Sequence, residues 1–183
     1  MKVNHSHVIL DACCVLNFCA SGSFIEIIQS LPAQVVVTKV VRDRELLSLQ
    51  RLADGGHKDS HQFQEAISKG IILLEDFNAE QEEATFLNYA AELGDDGESA
   101  TCAIAVHREW AIATDDRQAI SFFRREAPSL QILSTLEIIQ HWADVSSVSS
   151  AELQVVLMNI RSRGRYVPHR NHPLLRWWEG LIG

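Results

Sequence analysis

Acidic side chains follow two of the apolar runs that resemble buried strands. Asp11 comes directly after the run VIL, and Asp115 and Asp116 come after the run WAIA and one threonine. Glu98 falls in the first turn of a predicted helix, just behind the turn GDDG. A carboxylate between apolar segments is costly to bury unless it is hydrogen-bonded or meets a cation. Because parallel strands end at one edge of a sheet, we expect these acids to share a cation there.

The donor types restrict the chemistry of such a site. Ligands that offer only oxygen favour Mg²⁺ or Mn²⁺ over zinc. The sequence has no His/Cys set with zinc spacing, no P-loop, no GxGxxG and no nucleophile elbow. Metals held by carboxylates activate water and neutralise the charge of a phosphodiester. The predicted reaction is therefore hydrolytic cleavage of a phosphodiester, with water as the nucleophile and no covalent intermediate.

Alternating strands and helices must position these acids. The predicted strands are 8–10, 35–37, 71–74, 110–113 and 130–133, and helical patterns separate them throughout residues 8–143. This order predicts an α/β fold with a mostly parallel sheet and helices on both faces. Ser134 and Glu137 form a capping box for the last of these helices, and DGGHKDS at 54–60 is predicted to be a loop.

Two more acids lie in the helix predicted after the second strand, within the stretch RDRELLSL. They are Asp43 and Glu45, one to two helical turns past the strand end. The register leaves open which of them faces the other acids. The remaining one would belong to a solvated helix face.

The composition predicts a globular protein of ordinary size. The chain has 183 residues, of which 46% are hydrophobic and 22% charged, enough for a sizeable core. A net charge of −8 argues against a protein that coats nucleic acid by charge alone, but it permits an enzyme that brings nucleic acid to a metal. The cysteines form no CxxC pair, no signal peptide opens the chain, and no apolar run could span a membrane. We therefore expect a cytoplasmic protein without a membrane partner.

The C-terminal part, 144–183, is predicted to be a serine-rich linker followed by a helical extension of opposite charge. Residues 161–176 contain five arginines and no acid, and an apolar stripe at helical spacing precedes them. We expect this extension to fold back over the body and to bury Trp177 and Trp178. It then acts either as a packing latch or as an RNA contact, for which the candidates are Arg163, Arg165 and Arg170.

Three stretches in combination resemble a known domain. VILDACCVLNF, GDDGESATCAIAV and AIATDDRQAI are similar to the blocks of the PIN domain, the nuclease domain found in toxins of type II toxin–antitoxin pairs. The resemblance covers roughly residues 7–143. It implies a three-layer α/β/α sandwich over 1–143 and an endoribonuclease that depends on Mg²⁺ or Mn²⁺. It also implies RNA as the substrate, an antitoxin protein as the partner of a toxin, and, in many members, a homodimer.

The resemblance also assigns roles to individual acids. Asp11 corresponds to the first family acid, Glu98 to the third and Asp116 to the last, with Asp115 as a close competitor for binding the metal. The second family acid usually precedes an apolar pair. This position favours Glu45 as the catalytic acid of its helix.

Two small polar residues fall where the family often places such side chains near the acids. They are Asn17 and Thr114, which we expect to contact the substrate. The extension at 144–183 makes the chain longer than the common toxin.

Other functions also fit parts of this pattern. A PIN-fold module that binds or regulates without catalysis is expected if one acid points away, or if a base such as Arg44 or Arg117 fills the acid site. Asp11 could also be only a helix cap. A phosphatase of the haloacid-dehalogenase type would need Asp-x-Asp after the first strand, and Asp11-Ala12-Cys13 lacks it.

Overall fold

The computed structural model describes residues 1–44 and 56–183, with side chains from residue 61 onward in the second range. A five-stranded sheet lies at its centre. Its strands are β1 (His7–Leu10), β2 (Gln34–Thr38), β3 (Ile72–Glu75), β4 (Ala111–Ala113) and β5 (Ile132–Leu133). They lie in the order β3-β2-β1-β4-β5, and every pairing is parallel. The predicted α/β fold with a mostly parallel sheet is confirmed, and no antiparallel pairing occurs among the described strands.

Helices connect the strands and continue beyond the last one. They are α1 (Ala12–Ser21), α2 (Phe24–Gln29), α3 (Gly56–Ser68), α4 (Glu80–Leu93), α5 (Asp96–Arg108), α6 (Arg117–Glu126), α7 (Thr135–Val145), α8 (Ser150–Ser162) and α9 (Leu175–Ile182). The backbone at 39–44 is also helical. In the described ranges, no helix is both long and apolar enough to cross a membrane.

Both faces of the sheet are covered. Side chains of successive strand residues point to opposite faces, so Val8 and Leu10 enter one apolar cluster and Ile9 enters another. The first cluster is completed by α1, α2, α3, α7, α8 and α9, and the second by α4, α5 and α6. This arrangement is compatible with a three-layer sandwich.

Several helix ends follow directly from the sequence. The capping box of Ser134 and Glu137 is present at the start of α7. Gly94 ends α4 with a positive φ of 73°, a conformation that glycine adopts without steric cost. The prediction of a loop through residues 54–60 is wrong from Gly56 onward, where α3 already begins. Its later residues Phe63 and Ala66 are buried, and such tertiary packing overrides the low helix propensity of glycine.

The C-terminal extension folds back onto α1. Its apolar stripe is buried, and Asn159 donates its side-chain amide to the Ser21 carbonyl at 3.1 Å. Trp178 is buried beneath it, whereas Trp177 is only partly covered. These apolar side chains belong to the same core cluster as α1. The extension is therefore packed on the body along its length and does not hang from a free linker.

Candidate functional site

The sheet topology creates a crevice at the carboxyl end of β1. The chain leaves β1 for β2 on one side, whereas β4 lies on the other, so the direction of strand addition reverses between β1 and β4. Ligands of open α/β sheets bind at such a reversal. The Asp11 amide donates to the Ala113 carbonyl at 3.0 Å, which places the two strand ends side by side. The first acid and the acids after β4 therefore meet at this point.

Asp11 is held firmly at the carboxyl end of β1. It is 2% exposed, and one carboxylate oxygen accepts from the Ala12 amide at 2.7 Å, which makes it the N-cap of α1. The other oxygen accepts from the Thr114 hydroxyl at 2.8 Å and from the Cys13 thiol at 3.4 Å. Burial raises the pKa of the Asp11 carboxyl. The capping role considered from sequence is real, but it occupies only one of the two oxygens.

Glu98 faces the same cluster from the first turn of α5. Its side chain is half-buried, and its carboxylate accepts no hydrogen bond from any described residue. Burial, as the largest cause, and the carboxylates of Asp11, Asp116 and Asp95 together raise its pKa to about 8. A cation bound among these carboxylates would relieve the repulsion between their like charges.

Asp95 and Asp116 reach the cluster from helix N-termini. Asp95 caps α5 by accepting from the Glu98 amide at 2.9 Å. One oxygen of Asp116 caps α6 by accepting from the amides of Gln118 at 2.7 Å and Ala119 at 2.9 Å. The second oxygen of Asp116 has no hydrogen-bond partner among the described residues. In the sequence Asp95 belongs to the predicted turn GDDG, and its position after a glycine gives no sign of this contact.

Asp115 is engaged elsewhere. Its carboxylate accepts from the Thr135 hydroxyl and amide, from the Asn17 amide at 3.3 Å and from the Tyr166 hydroxyl at 3.2 Å. Burial raises its pKa, and the hydrogen bonds from Thr135 and Tyr166 oppose that rise. Each oxygen of Asp115 accepts at least two protein donors, whereas Oδ1 of Asp11 accepts only the Ala12 amide. Asp115 therefore has less capacity for a metal than Asp11 or Asp116.

A second group of potential ligands surrounds Asp115. The sulfur atoms of Cys13 and Cys14 and a carboxylate oxygen of Asp115 lie within 4.8 Å of one another. Burial raises the pKa of the Cys14 thiol, which disfavours the thiolate that binds metals. Among the described residues, the carboxylates of Asp11, Glu98 and Asp116 do not gather at that spacing. A cation common to these three acids would therefore use water for part of its shell, as Mg²⁺ usually does.

The acids open into a cleft of about 350 Å³. Glu98 and Asp116 line it together with residues 164–167 of the C-terminal extension. Asn17, predicted to contact substrate, lines the cleft but donates to Asp115 and Thr135. Thr114, the other predicted contact, is fully buried and serves Asp11 instead.

The three arginines predicted to contact RNA lie in different surroundings. Arg165 lines the cleft, as expected for a side chain at the rim of the acids. Arg163 donates to the Ala20 carbonyl at 3.0 Å and so helps to anchor the extension. Arg170 is exposed and lines neither this cleft nor the groove described below.

Of the two candidates for the second acid after β2, the structure describes only Asp43. Asp43 is exposed and paired with Arg42 at 2.6 Å, and that hydrogen bond lowers the pKa of its carboxyl. Glu45 lies outside the described residues, so its predicted role stays a prediction.

Tyr166 and Thr135 are the contacts that sequence reasoning missed. Thr135 follows the capping serine of α7, and its position at the carboxyl end of β5 was the available signal. Tyr166 lies 51 residues from Asp115 in the chain, and nothing in the local pattern links the two.

Comparisons with protein families and with curated proteins identify no relative of this chain. The chain matches no protein-family model, and no curated protein sequence matches it.

Proposed function

We propose that this protein is a metal-dependent endoribonuclease that hydrolyses RNA phosphodiester bonds, with a PIN-like fold. The observation that carries the proposal is the group of carboxylates at the reversal point of the sheet. There Asp11, Asp116 and Asp95 act together with burial to raise the pKa of Glu98 to about 8. Facing carboxylates with no basic side chain between them destabilise the folded state, and a bound cation would offset that destabilisation.

The donor set fits Mg²⁺ or Mn²⁺. Asp11, Glu98 and Asp116 would hold the ion, because each offers carboxylate oxygen and Glu98 has no competing donor among the described residues. When bound, the ion supplies neutralisation of phosphodiester charge and activation of water. Cys13, Cys14 and Asp115 provide softer ligands, but each oxygen of Asp115 already accepts at least two protein donors, whereas Oδ1 of Asp11 accepts one.

The other residues of the site orient and hold these acids. The Thr114 hydroxyl fixes one oxygen of Asp11, and the Ala12 amide fixes the other. The cap at the start of α6 fixes Asp116 and leaves one of its oxygens free. Arg165 stands at the rim, where it can attract a phosphate. This support keeps the carboxylates in place before substrate arrives.

A silent binding module would be favoured by a base in the acid site, and neither candidate base pairs with the cluster. Arg44 pairs with Asp96 and not with the acid cluster. Arg117 forms no ion pair within the described ranges. The resemblance to toxins further predicts an antitoxin partner and a homodimer, which size-exclusion chromatography and co-expression with a neighbouring gene product would test.

The direct test is Asp11→Asn, assayed with RNA in Mn²⁺ and in EDTA. The variant should keep its circular dichroism spectrum and lose metal-dependent cleavage. Asp43→Asn is the matched control, because Asp43 is an exposed aspartate in a surface ion pair, and its activity should match the wild type. Cleavage that survives both Asp11→Asn and EDTA would refute the mechanism.

A further inference from the structure

A second groove adjoins the acidic cleft. It has a volume of about 480 Å³ and lies between α6 and the C-terminal segment 166–173. Asp115, Tyr166 and Val167 line both the groove and the cleft, so the two are separated by one shared wall. A chain-like ligand that occupies the groove can therefore extend directly to the acids.

Two arginines without acidic partners project from α6 along the groove. Arg117 and Arg124 are seven residues apart, about two helical turns, and so lie on the same helix face. Both are exposed, and neither forms an ion pair with a described residue. Arg44, Arg108 and Arg125, in contrast, each pair with an acid. In a chain of net charge −8, two unpaired guanidinium groups on one wall favour an anionic ligand.

The opposite wall adds two hydrogen-bond donors whose tautomers the structure fixes. Nδ1 of His169 accepts from the Asn171 amide at 3.3 Å, and Nδ1 of His172 accepts from the Leu174 amide at 3.0 Å. A backbone amide can only donate, so the proton of each neutral ring resides on Nε2. Neither Nε2–H has a partner among the described residues, and both rings line the groove. They are therefore available to donate to phosphate or base oxygens.

The groove also has an apolar side. Val167 is 66% exposed and borders both the groove and the acidic cleft, and Ile120 and Pro173 continue the apolar surface. Tyr166 is held edge-to-face against Trp178, with ring centroids 5.8 Å apart, so the wall that carries Val167 is braced by the core. Grooves that bind single-stranded nucleic acid combine cations for the phosphates with a surface on which the bases pack, most often aromatic rings, and here that surface is aliphatic.

We propose that this groove binds the nucleotides of single-stranded RNA that flank the bond to be cleaved. The inference rests on the proposed function for the identity of the nucleic acid. Arg117 and Arg124 contact the phosphates, the two imidazoles donate to base or phosphate oxygens, and Val167 packs against a base. The strand then passes over Tyr166 to the acids. A base-paired duplex has its bases covered and cannot use the apolar side.

The test is the binding of a labelled oligouridine, followed by fluorescence anisotropy in EDTA, where no metal-dependent cleavage occurs. Arg117→Ala combined with Arg124→Ala should weaken binding at least about tenfold at low salt, since each lost contact joins two charged groups. It should also reduce the slope of log affinity against log salt by about 1.4, or about 0.7 for each phosphate contact to a single strand. Arg161→Ala removes an exposed arginine on α8 outside the groove and should change neither quantity.

The outcomes separate this inference from the proposed function. An affinity and salt slope that the double variant leaves unchanged would overturn the groove, whether or not the wild type cleaves RNA. Tighter binding of a duplex of equal length would also overturn it. If the double variant binds weakly while the wild type shows no metal-dependent cleavage, the groove stands and the nuclease proposal fails.

Discussion

Glu98→Gln should make the metal-free protein more stable, and the gain should grow with pH. Glutamine keeps the shape of the side chain and removes its negative charge. The pKa of Glu98 rises from its ordinary 4.5 to about 8 in the folded chain, so the folded state binds this proton more tightly than the unfolded state does. Below pH 4.5 the carboxyl is protonated in both states and the substitution should matter little. The wild type is destabilised progressively as the pH rises from 4.5 to about 8, and the full effect is reached above about pH 8.

The size of the effect follows from the shift. Without any screening by water, the difference between the two pKa values corresponds to about 5 kcal/mol in the free energy of unfolding. Glu98 is only half-buried, so water reduces both the cost of burying its charge and the repulsion from the neighbouring carboxylates. We therefore expect Glu98→Gln to gain about 2 to 3 kcal/mol at high pH, or roughly 5–10 °C in Tm for a chain of this length.

Thermal unfolding in EDTA from acid to alkaline pH measures this directly. Glu83→Gln is the matched control, because Glu83 lies near the start of α4, is exposed, and its carboxylate forms no ion pair or hydrogen bond with a described residue. The control should follow the wild type at every pH. Mn²⁺ at about one hundred times its dissociation constant should add about 2.7 kcal/mol to the wild type and clearly less to Glu98→Gln. Equal Tm values for Glu98→Gln and the wild type at alkaline pH would refute the acid cluster.

Three further predictions concern the extension. Tyr166→Phe should cost about 1 to 2 kcal/mol, measured by urea unfolding, because it removes a donor from the half-buried carboxylate of Asp115; an unchanged midpoint would show that this contact is dispensable. Gly164→Ala should cost about 1 to 3 kcal/mol in the same assay, since a Cβ would lie 2.8 Å from the Ile160 carbonyl oxygen, and wild-type stability would show that the segment can shift. Trp178→Ala should cost about 3 to 5 kcal/mol because the side chain is 3% exposed, with Trp177→Ala, only partly covered, expected to cost less; equal losses would contradict this packing.

The sequence was informative where a feature depends on neighbouring residues. The strands were recognisable as short apolar runs, and their alternation with helices led to the parallel sheet that the structure contains. The capping box at Ser134 and the positions of Asp11 and Glu98 near strand and helix ends were local patterns of the same kind. Strand bounds still moved by one or two residues, because an isolated apolar run does not define where pairing begins.

Features that depend on distant contacts were not accessible in this way. The choice between Asp115 and Asp116 could not be made from the chain, because it depends on Thr135 and Tyr166, which reach Asp115 from two other elements. The three arginines of the extension looked alike in sequence. Only the packing of the extension on α1 shows that Arg163 turns inward to a backbone carbonyl. Likewise, Arg117 and Arg124 gain significance only beside the segment that faces them.

The extension connects the stability of the fold to the shape of the proposed site. Its helix is anchored on α1 by an apolar stripe, and Gly164 lets the following backbone pass close to Asn17 and Ala20. That close passage brings Tyr166 to Asp115, and the same segment then forms one wall of both the cleft and the groove. A loss of packing at α8 would therefore release both walls at once. It follows that damage to the extension should alter RNA binding and folding stability together, whereas substitutions at Arg117 or Arg124 should alter binding alone.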